Sequence, residues 1–265
     1  MKSVILIPAR FASSRYPGKP LVELRGATGN PKPLIQRSVE AARRIPGVSA
    51  VFVTTDDQRI GAACDAFGAE VIMTSPECRN GTERCAEALG SLDGPDLVIN
   101  FQGDALLTPP GFVTALIDHM AAKPDAMVAT PAMRQRPAEV RALQAEEAAG
   151  RVGGTSVVTA TDGRALYFSK KLIPFLPKGA LNGDLTPVRL HIGVYAYRPR
   201  ALTTYVATPV SDLEELEGLE QLRFLAAGIP VEVVEVETPH FVLRELNNPE
   251  DVAPIEDALA AAGLE

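Results

Sequence analysis

Four short apolar runs, separated by stretches of helical periodicity, constrain this chain more than any other feature. Ser3 to Ile7 closes at Pro8, and Ala50–Thr55, Glu70–Met73 and Leu97–Phe101 follow. Each is too short for a stable helix and fits a buried strand. Leu34, Ile35, Val39, Ala42 and Ile45 recur at helical spacing until Pro46-Gly47 stops them. Asp56-Asp57 supply a cap for a second helix, which runs to about Phe67 with Gly68 suited to the position after its end. Gly81 to Leu89 and Phe112 to Ala121 predict two more helices, and Met127 to Thr130 another strand. Strand alternating with helix predicts an α/β fold: a three-layer sandwich around a mostly parallel sheet covered on both faces. Ligands of such sheets bind outside the carboxyl ends of the strands. The loops after Ile7, Thr55 and Phe101 are therefore expected to meet at one site.

The rhythm changes after about residue 133. Residues 137–148 predict a helix. Ser156–Thr161 and Ala165–Phe168 predict a hairpin closed by a tight Asp162-Gly163 turn. His191–Arg198 predicts one strand with Tyr195 and Tyr197 on one face. Residues 213–227 predict one helix, Val231–Val236 a strand, and 249–262 a final helix. The expectation is a single domain over 1–265, with 154–200 a small β-rich sub-region for dimerisation or acceptor contact. The composition, with 46% hydrophobic and 22% charged residues, is that of a globular protein. The apolar run Val4–Ile7 is far too short to span a bilayer, and strand-like residues open the chain where a secretory leader would stand. Cys64, Cys78 and Cys85 show no C-x-x-C spacing and read as reduced thiols of a cytoplasmic protein. A pI near 5.2 argues against nucleic acid as a partner.

The net charge of -7 is unevenly distributed. Residues 1–44 carry nine Lys/Arg and two Glu, whereas the last 65 residues carry two basic and fourteen acidic side chains. Two readings of the basic segment are open: a solvated face, or a site for a small polyanion. The loop Pro8-Ala9-Arg10-Phe11-Ala12-Ser13-Ser14-Arg15-Tyr16-Pro17-Gly18-Lys19 favours the second. It leaves the first strand with three cations, two serines and a glycine, a composition suited to phosphate. It matches neither the P-loop nor the dinucleotide fingerprint.

This loop, P-A-R-x-x-S-x-R-x-P-G-K-P-L, resembles the signature of the CMP-sugar synthetases, above all the 3-deoxy-manno-octulosonate (Kdo) cytidylyltransferases. The resemblance continues through T-T-D (Thr54–Asp56), N-G-T-E-R (Asn80–Arg84), N-F-Q-G-D (Asn100–Asp104) and A-L-Y-F-S (Ala165–Ser169). It extends through H-I-G-V-Y-A-Y-R (His191–Arg198) and L-E-x-L-E-Q-L-R (Leu216–Arg223) to N-P-E-D (Asn248–Asp251), and so covers nearly the whole chain in order. It implies a Rossmann-like, GT-A-like nucleotidyltransferase fold, a homodimer, and transfer of CMP from CTP to an acidic sugar with release of pyrophosphate.

The resemblance also implies roles. Arg10 and Lys19 would grip the triphosphate and stabilise the leaving pyrophosphate, with Arg15 assisting or facing solvent. The backbone of Pro8 and Ala9, with Arg79 and Gln102, would frame the cytosine, and Thr82 and Glu83 would lie where the loop closes over the nucleotide. Asp104 would be the catalytic metal ligand for Mg²⁺. Gln102, Lys170, His191, Tyr195, Glu217 and Gln221 would contact the acceptor. Glu217 and Gln221 are four residues apart, hence on one face of the expected helix. Alone, Glu214, Glu215, Glu217 and Glu220 read as a solvated acidic face, and His191 as a core histidine.

Three departures cluster near the metal and the acceptor. The second metal Asp of the family corresponds to Asn247, which offers a neutral oxygen, so either Asp104 and the phosphates hold the metal or another carboxylate such as Glu250 or Asp251 substitutes. The family's Glu-Pro after Q-G-D is Ala105-Leu106, and its Arg after Y-F-S is Lys170. Residues 26–31 also lengthen the turn before the first helix. This pattern suits Kdo, or a relative that keeps CTP and takes another 2-keto acid or a small phosphonate such as phosphonoformate. A catalytically silent nucleotide-binding protein is the reading from outside the enzymes.

Overall fold

The computed structural model describes all residues except Ser13, Ser14, Ala105, Val242 and Glu265. The chain divides into two units, Met1–Ile117 with Pro239–Glu265, and Asp118–Thr238. The first unit begins with β1 (Ser3–Pro8), a short hairpin of β2 (Glu23–Arg25) and β3 (Pro31–Pro33), α1 (Leu34–Arg43) and β4 (Val48–Thr55). It continues with α2 (Gln58–Ala66), β5 (Glu70–Met73), α3 (Gly81–Ala88), β6 (Leu97–Phe101) and α4 (Pro110–Ala122), inside which the division falls.

Within this unit the strand order is β5-β4-β1-β6 and every pairing is parallel. Ile5 aligns with Val51 on one side and Ile99 on the other. All five residues of β6 are buried, which is why they read as a continuous apolar run without alternation. The local signals act as expected at α2: Asp57 accepts the Arg59 amide at 2.9 Å, and Gly68 takes φ +70° just past its end.

The lengthened turn before α1 connects β2 to β3. It packs on the C-terminal helix Val252–Ala262: Ala27 N–H donates to the Leu264 carbonyl at 2.8 Å, and Arg25 N–H to Glu256 at 2.7 Å. Leu24, Leu34, Leu106, Leu107, Leu246, Ile255 and Leu259 form one buried cluster in this unit. Burial of each leucine contributes about 1.5–3 kcal/mol, enough to dock the C-terminal segment firmly. The basic N-terminal segment also resolves into separate roles. Arg37 is fully buried and donates to the Leu24 carbonyl, Lys32 pairs with Glu40, and Lys2 pairs with Asp93. Only Arg10, Arg15 and Lys19 belong to the first loop.

The second unit contains β7 (Val128–Arg134), α5 (Pro137–Ala148), β8 (Ser156–Thr159), β9 (Ala165–Ser169), β10 (Arg189–His191) and β11 (Val194–Tyr197). It ends with α6 (Pro199–Ala207), α7 (Asp212–Glu217), α8 (Leu222–Ala226) and β12 (Val231–Val236). β7 pairs with β12 in parallel, and with β11 and then β10 antiparallel along its length; β8 and β9 extend the sheet beyond β10.

Three expectations need correction in this unit. The strand expected over 191–198 is two strands broken at Ile192-Gly193. The break lies across from Pro131, which has no N–H to offer, although its carbonyl still accepts from Ile192 at 3.0 Å. The helix expected over 213–227 is also two, because Gly218 at φ +59° ends α7 in the left-handed region. The hairpin turn is a longer connection between Thr159 and Ala165, with Gly163 at φ +88° and Asp162 bonded to the Arg164 amide. The acidic face is not wholly solvated either: Glu214 is buried and grips Arg223 at 2.7 and 2.5 Å, which ties α7 to α8.

Candidate functional site

In the first unit the carboxyl ends of β1, β4 and β6 converge with the start of α3. Ala9 N–H donates to the Thr54 carbonyl at 2.9 Å. Its amide is therefore already paired and Pro8 has no N–H, so this stretch of backbone can meet a base only through carbonyl oxygens. Gly18 N–H returns to the Phe11 carbonyl at 2.9 Å and closes the first loop. Gly18 stands at φ +74°, and a Cβ there would meet the Phe11 ring at 3.1 Å, so geometry and space both demand glycine. The Arg59 guanidinium stacks on the same ring at 3.3 Å from its centroid. This brace starts the helical turn Lys19–Leu21 and aims Lys19 inward.

Lys19 Nζ pairs with Asp104, and both side chains are mostly buried at 18% exposure. Arg15 Nη2 donates to Asn247 Oδ1 at 2.8 Å, so Arg15 is engaged with the C-terminal segment. Arg10 is exposed. Ser13, Ser14 and Ala105, which belong to the signature and to its departure, lie outside the described residues. Leu106, the other residue of that departure, joins the apolar cluster.

A carboxylate that sequence reasoning missed stands here. Glu245 accepts a hydrogen bond from Asn247 and faces Asp104, Lys19 and Arg15. Its side chain is open to solvent by surface area yet ringed by protein. The resulting loss of hydration, with the charge of Asp104, pushes its carboxyl up to about 7 against the pull of Asn247, Lys19 and Arg15. Of the two replacements suggested by sequence, Asp251 caps the amides of Asn247 and Asn248 at 3.0 and 2.7 Å, and Glu250 is exposed. Asp104, Glu245 and Asn247 offer only hard oxygen donors, already facing cationic side chains. That donor chemistry fits Mg²⁺.

At the start of α3, Asn80 accepts the Glu83 amide at 2.8 Å, and Glu83 holds the Arg79 amide and guanidinium at 2.8 Å each. Arg84 reaches Asp56 at 3.1 Å, so the T-T-D and N-G-T-E-R motifs brace one another. A Cβ on Gly81 would lie 3.3 Å from both Asn100 Nδ2 and Gln102 Nε2 and 3.5 Å from the Pro8 ring. The glycine keeps this corner open. Two corrections follow. Thr82 is fully buried, so its hydroxyl is not on the open wall. Asn100, not singled out from sequence, is fully buried with neither amide atom paired, which is costly and rare outside functional regions.

Apart from Gln102, the acceptor candidates lie in the second unit. Glu217 accepts from Ser169 Oγ at 2.7 Å, the Lys170 amide at 2.9 Å and Tyr167 OH at 3.3 Å. Partial burial raises its carboxyl, but these bonds outweigh it and hold the group below its ordinary value. A Cβ on Gly218 would sit 2.8 Å from Lys170 Nζ, so the glycine that ends α7 also makes room for the lysine. Glu217 and Gln221 do not share a helical face, because Gly218 separates them. Gln221 is buried at the start of α8 with its Nε2 unpaired. Tyr195 is a core residue, 3% exposed and stacked on Tyr197 at 5.6 Å.

His191 contacts Phe168 edge-on at 5.1 Å and Thr130 Oγ1 at 2.9 Å. Burial lowers it to about 3, so the ring is neutral at pH 7. A His with a depressed folded value stabilises the protein fully above its unfolded value near 6.5 and loses that contribution as pH falls toward about 3. His191→Gln should therefore flatten the acid limb of stability: between pH 7 and 5 the wild type should lose at most about 2 kcal/mol more than the variant in urea unfolding. Parallel pH curves would reject the neutral histidine.

Comparison with known proteins agrees with this geometry. The cytidylyltransferase family profile matches residues 4–235. The 3-deoxy-manno-octulosonate cytidylyltransferase of Maricaulis maris is 40% identical over 264 residues, 99% of each chain. The 8-amino-3,8-dideoxy-manno-octulosonate cytidylyltransferase of Shewanella putrefaciens is 36% identical, with 99% of this chain and 100% of that protein covered. A solved structure of a CMP:2-keto-3-deoxy-manno-octonic acid synthetase complexed with CTP superposes with a TM-score of 0.84 at 36% identity, covering 99% of this chain and 100% of that one. With the signature loop closed around Lys19 and a full-length match in both sequence and fold, the chain belongs to the cytidylyltransferase family, as a CMP-sugar synthetase of the Kdo type.

Proposed function

We propose that this protein transfers CMP from CTP to 3-deoxy-manno-octulosonate and releases pyrophosphate. The observation that carries the reading is the braced first loop, with Lys19 seated on Asp104, in a chain whose full-length relatives are named for this reaction. The chemistry is one of charge: an anionic acceptor must approach an anionic triphosphate. Arg10, Arg15 and Lys19 lower that barrier by neutralisation and positioning, with no covalent enzyme intermediate. Arg79 and Gln102 border the base, and Asp104 with the amide oxygen of Asn247 would hold Mg²⁺, which would supply charge neutralisation. Lys170, Glu217 and Gln221 serve the acceptor. Glu217 does so by holding the Ser169–Lys170 turn, and Gln221 through its unpaired amide.

A second acceptor has support from the Shewanella relative, whose name specifies an 8-amino sugar. Pyrophosphate release from CTP and Mg²⁺, measured with Kdo, its 8-amino analogue and phosphonoformate, decides among them. Kdo is expected to give the highest kcat/KM. Higher turnover with either alternative replaces the acceptor, and CTP binding without release from any of them leaves a silent nucleotide-binding protein.

A homodimer belongs to the same proposal, supported by Leu166 at 63% and Phe175 at 88% exposure in the 154–200 region. A sedimenting mass of 28.2 kDa would remove it. Among the described residues no helix is long and apolar enough to cross a membrane. We place the protein in the cytoplasm, in keeping with three free cysteines; disulfide trapping of a protein isolated with its thiols blocked would argue otherwise.

A further inference from the structure

We propose that Glu245 supplies the second carboxylate of the divalent-cation site, in place of the charge that Asn247 lacks. The inference rests on the CTP and Mg²⁺ reading above and extends it to a residue of this chain. Asn247 has one neutral oxygen, and that oxygen already accepts from Arg15 at 2.8 Å. Its amide nitrogen side is bonded to Glu245. Asp251 is tied to two backbone amides as a cap, and Glu250 is the middle residue of the short turn Pro249–Asp251. Neither is seen to face Asp104 among the described residues.

Glu245 does face it. Leu246 is fully buried in the same apolar cluster as Leu106 and Leu107. That packing anchors the segments after Asp104 and on both sides of Leu246, and leaves Glu245 and Asn247 bonded to each other and facing Asp104. A glutamate is one methylene longer than an aspartate, so it can reach the site from two residues upstream. Asp104 and Glu245 are two like charges in one site. Such a pair is tolerated where positive charge lies between or beside it, and here Lys19 and Arg15 provide it. Two carboxylates with an amide oxygen make a hard donor set for a small divalent cation, and the affinity of such sites follows the number of charged ligands.

The test is Mn²⁺ binding, followed by water-proton relaxation on the full chain with CTP present and acceptor absent. This readout separates Mn²⁺ on the protein from Mn²⁺ on free CTP and needs no turnover. Glu245→Gln should weaken Mn²⁺ binding about tenfold or more, Glu250→Gln should leave it unchanged, and Asn247→Asp added to Glu245→Gln should restore it. Wild-type affinity in Glu245→Gln, or an equal loss in Glu250→Gln, overturns the proposal. Should Glu245→Gln fail to fold, Glu245→Asp carries the test, because it keeps the charge and withdraws the oxygen. Weakened binding then supports the role, and unchanged binding overturns it. Pyrophosphate release by the wild type is scored separately: its absence defeats the enzymatic reading, while its presence with unaltered Mn²⁺ binding in the variants defeats only Glu245.

Discussion

Lys19→Ala is expected to lose CTP turnover almost completely while the protein stays folded. Lys19 is no mobile surface lysine. Gly18 in its left-handed conformation, the Phe11 ring over it and the Arg59 guanidinium on that ring set the backbone from which it projects. Its ammonium is mostly enclosed and paired with Asp104. A fixed cation in such a site, aimed where charge develops on a leaving pyrophosphate, contributes on the order of 10²–10³ in kcat. Removal should also weaken CTP binding, since the ground-state triphosphate is anionic too. The fold should survive, because the loop is held by the Gly18–Phe11 bond, the Ala9–Thr54 bond and Pro20, none of which involves the ammonium. Steady-state pyrophosphate release, with circular dichroism and thermal unfolding of the same sample, checks both halves. Activity close to wild type would sink the assignment of this loop to the triphosphate.

That assignment was legible from sequence because its signals are local. β1 and β6 are buried on both faces and so announce themselves as unbroken apolar runs, and Asp57 and Gly68 mark the limits of α2 by chemistry that needs no tertiary context. The second unit was read less well where a residue acts on a neighbour distant in sequence. Nothing near His191 shows that Pro131 in the adjacent strand withholds a hydrogen bond and breaks β10 from β11. Helical spacing on either side of Gly218 hides the break there, and α6 was missed altogether.

The site divides in the same way. Lys19 and Asp104 were named from motifs and do meet. In the acceptor group, the motifs alone do not show that Tyr195 and Gln221 are buried or that Glu217 braces the Ser169–Lys170 turn. Glu245 was not singled out, since its place beside Asp104 depends on Leu246 docking among leucines far away in sequence. The basic N-terminal segment shows how composition misleads at this scale. Its surplus charge includes Arg37, which is buried as a structural donor, and Lys2 and Lys32, which pair with local acids. Three cations in one braced loop carry the polyanion argument, not the net charge around them.

Asp104→Asn should reduce the rate by about 10²–10³ and shift the Mg²⁺ titration to much higher concentration. The substitution keeps shape and one oxygen, so it isolates charge. That charge pairs with Lys19, and replacing it leaves a mostly enclosed ammonium without its counter-ion. The two roles can be separated by a cycle. If Asp104 served only to position Lys19, then Asp104→Asn in a Lys19→Ala background would cost nothing further, and the Mg²⁺ dependence of the residual activity would match that of Lys19→Ala alone. If Asp104 holds the cation, the double variant should still shift the Mg²⁺ titration by the amount seen in the single variant, even where the rates are too low to be additive. Residual pyrophosphate release measured against Mg²⁺ in all four proteins gives the answer. An unchanged magnesium midpoint in Asp104→Asn would remove this residue from the metal site and leave it as the partner that holds Lys19 in place.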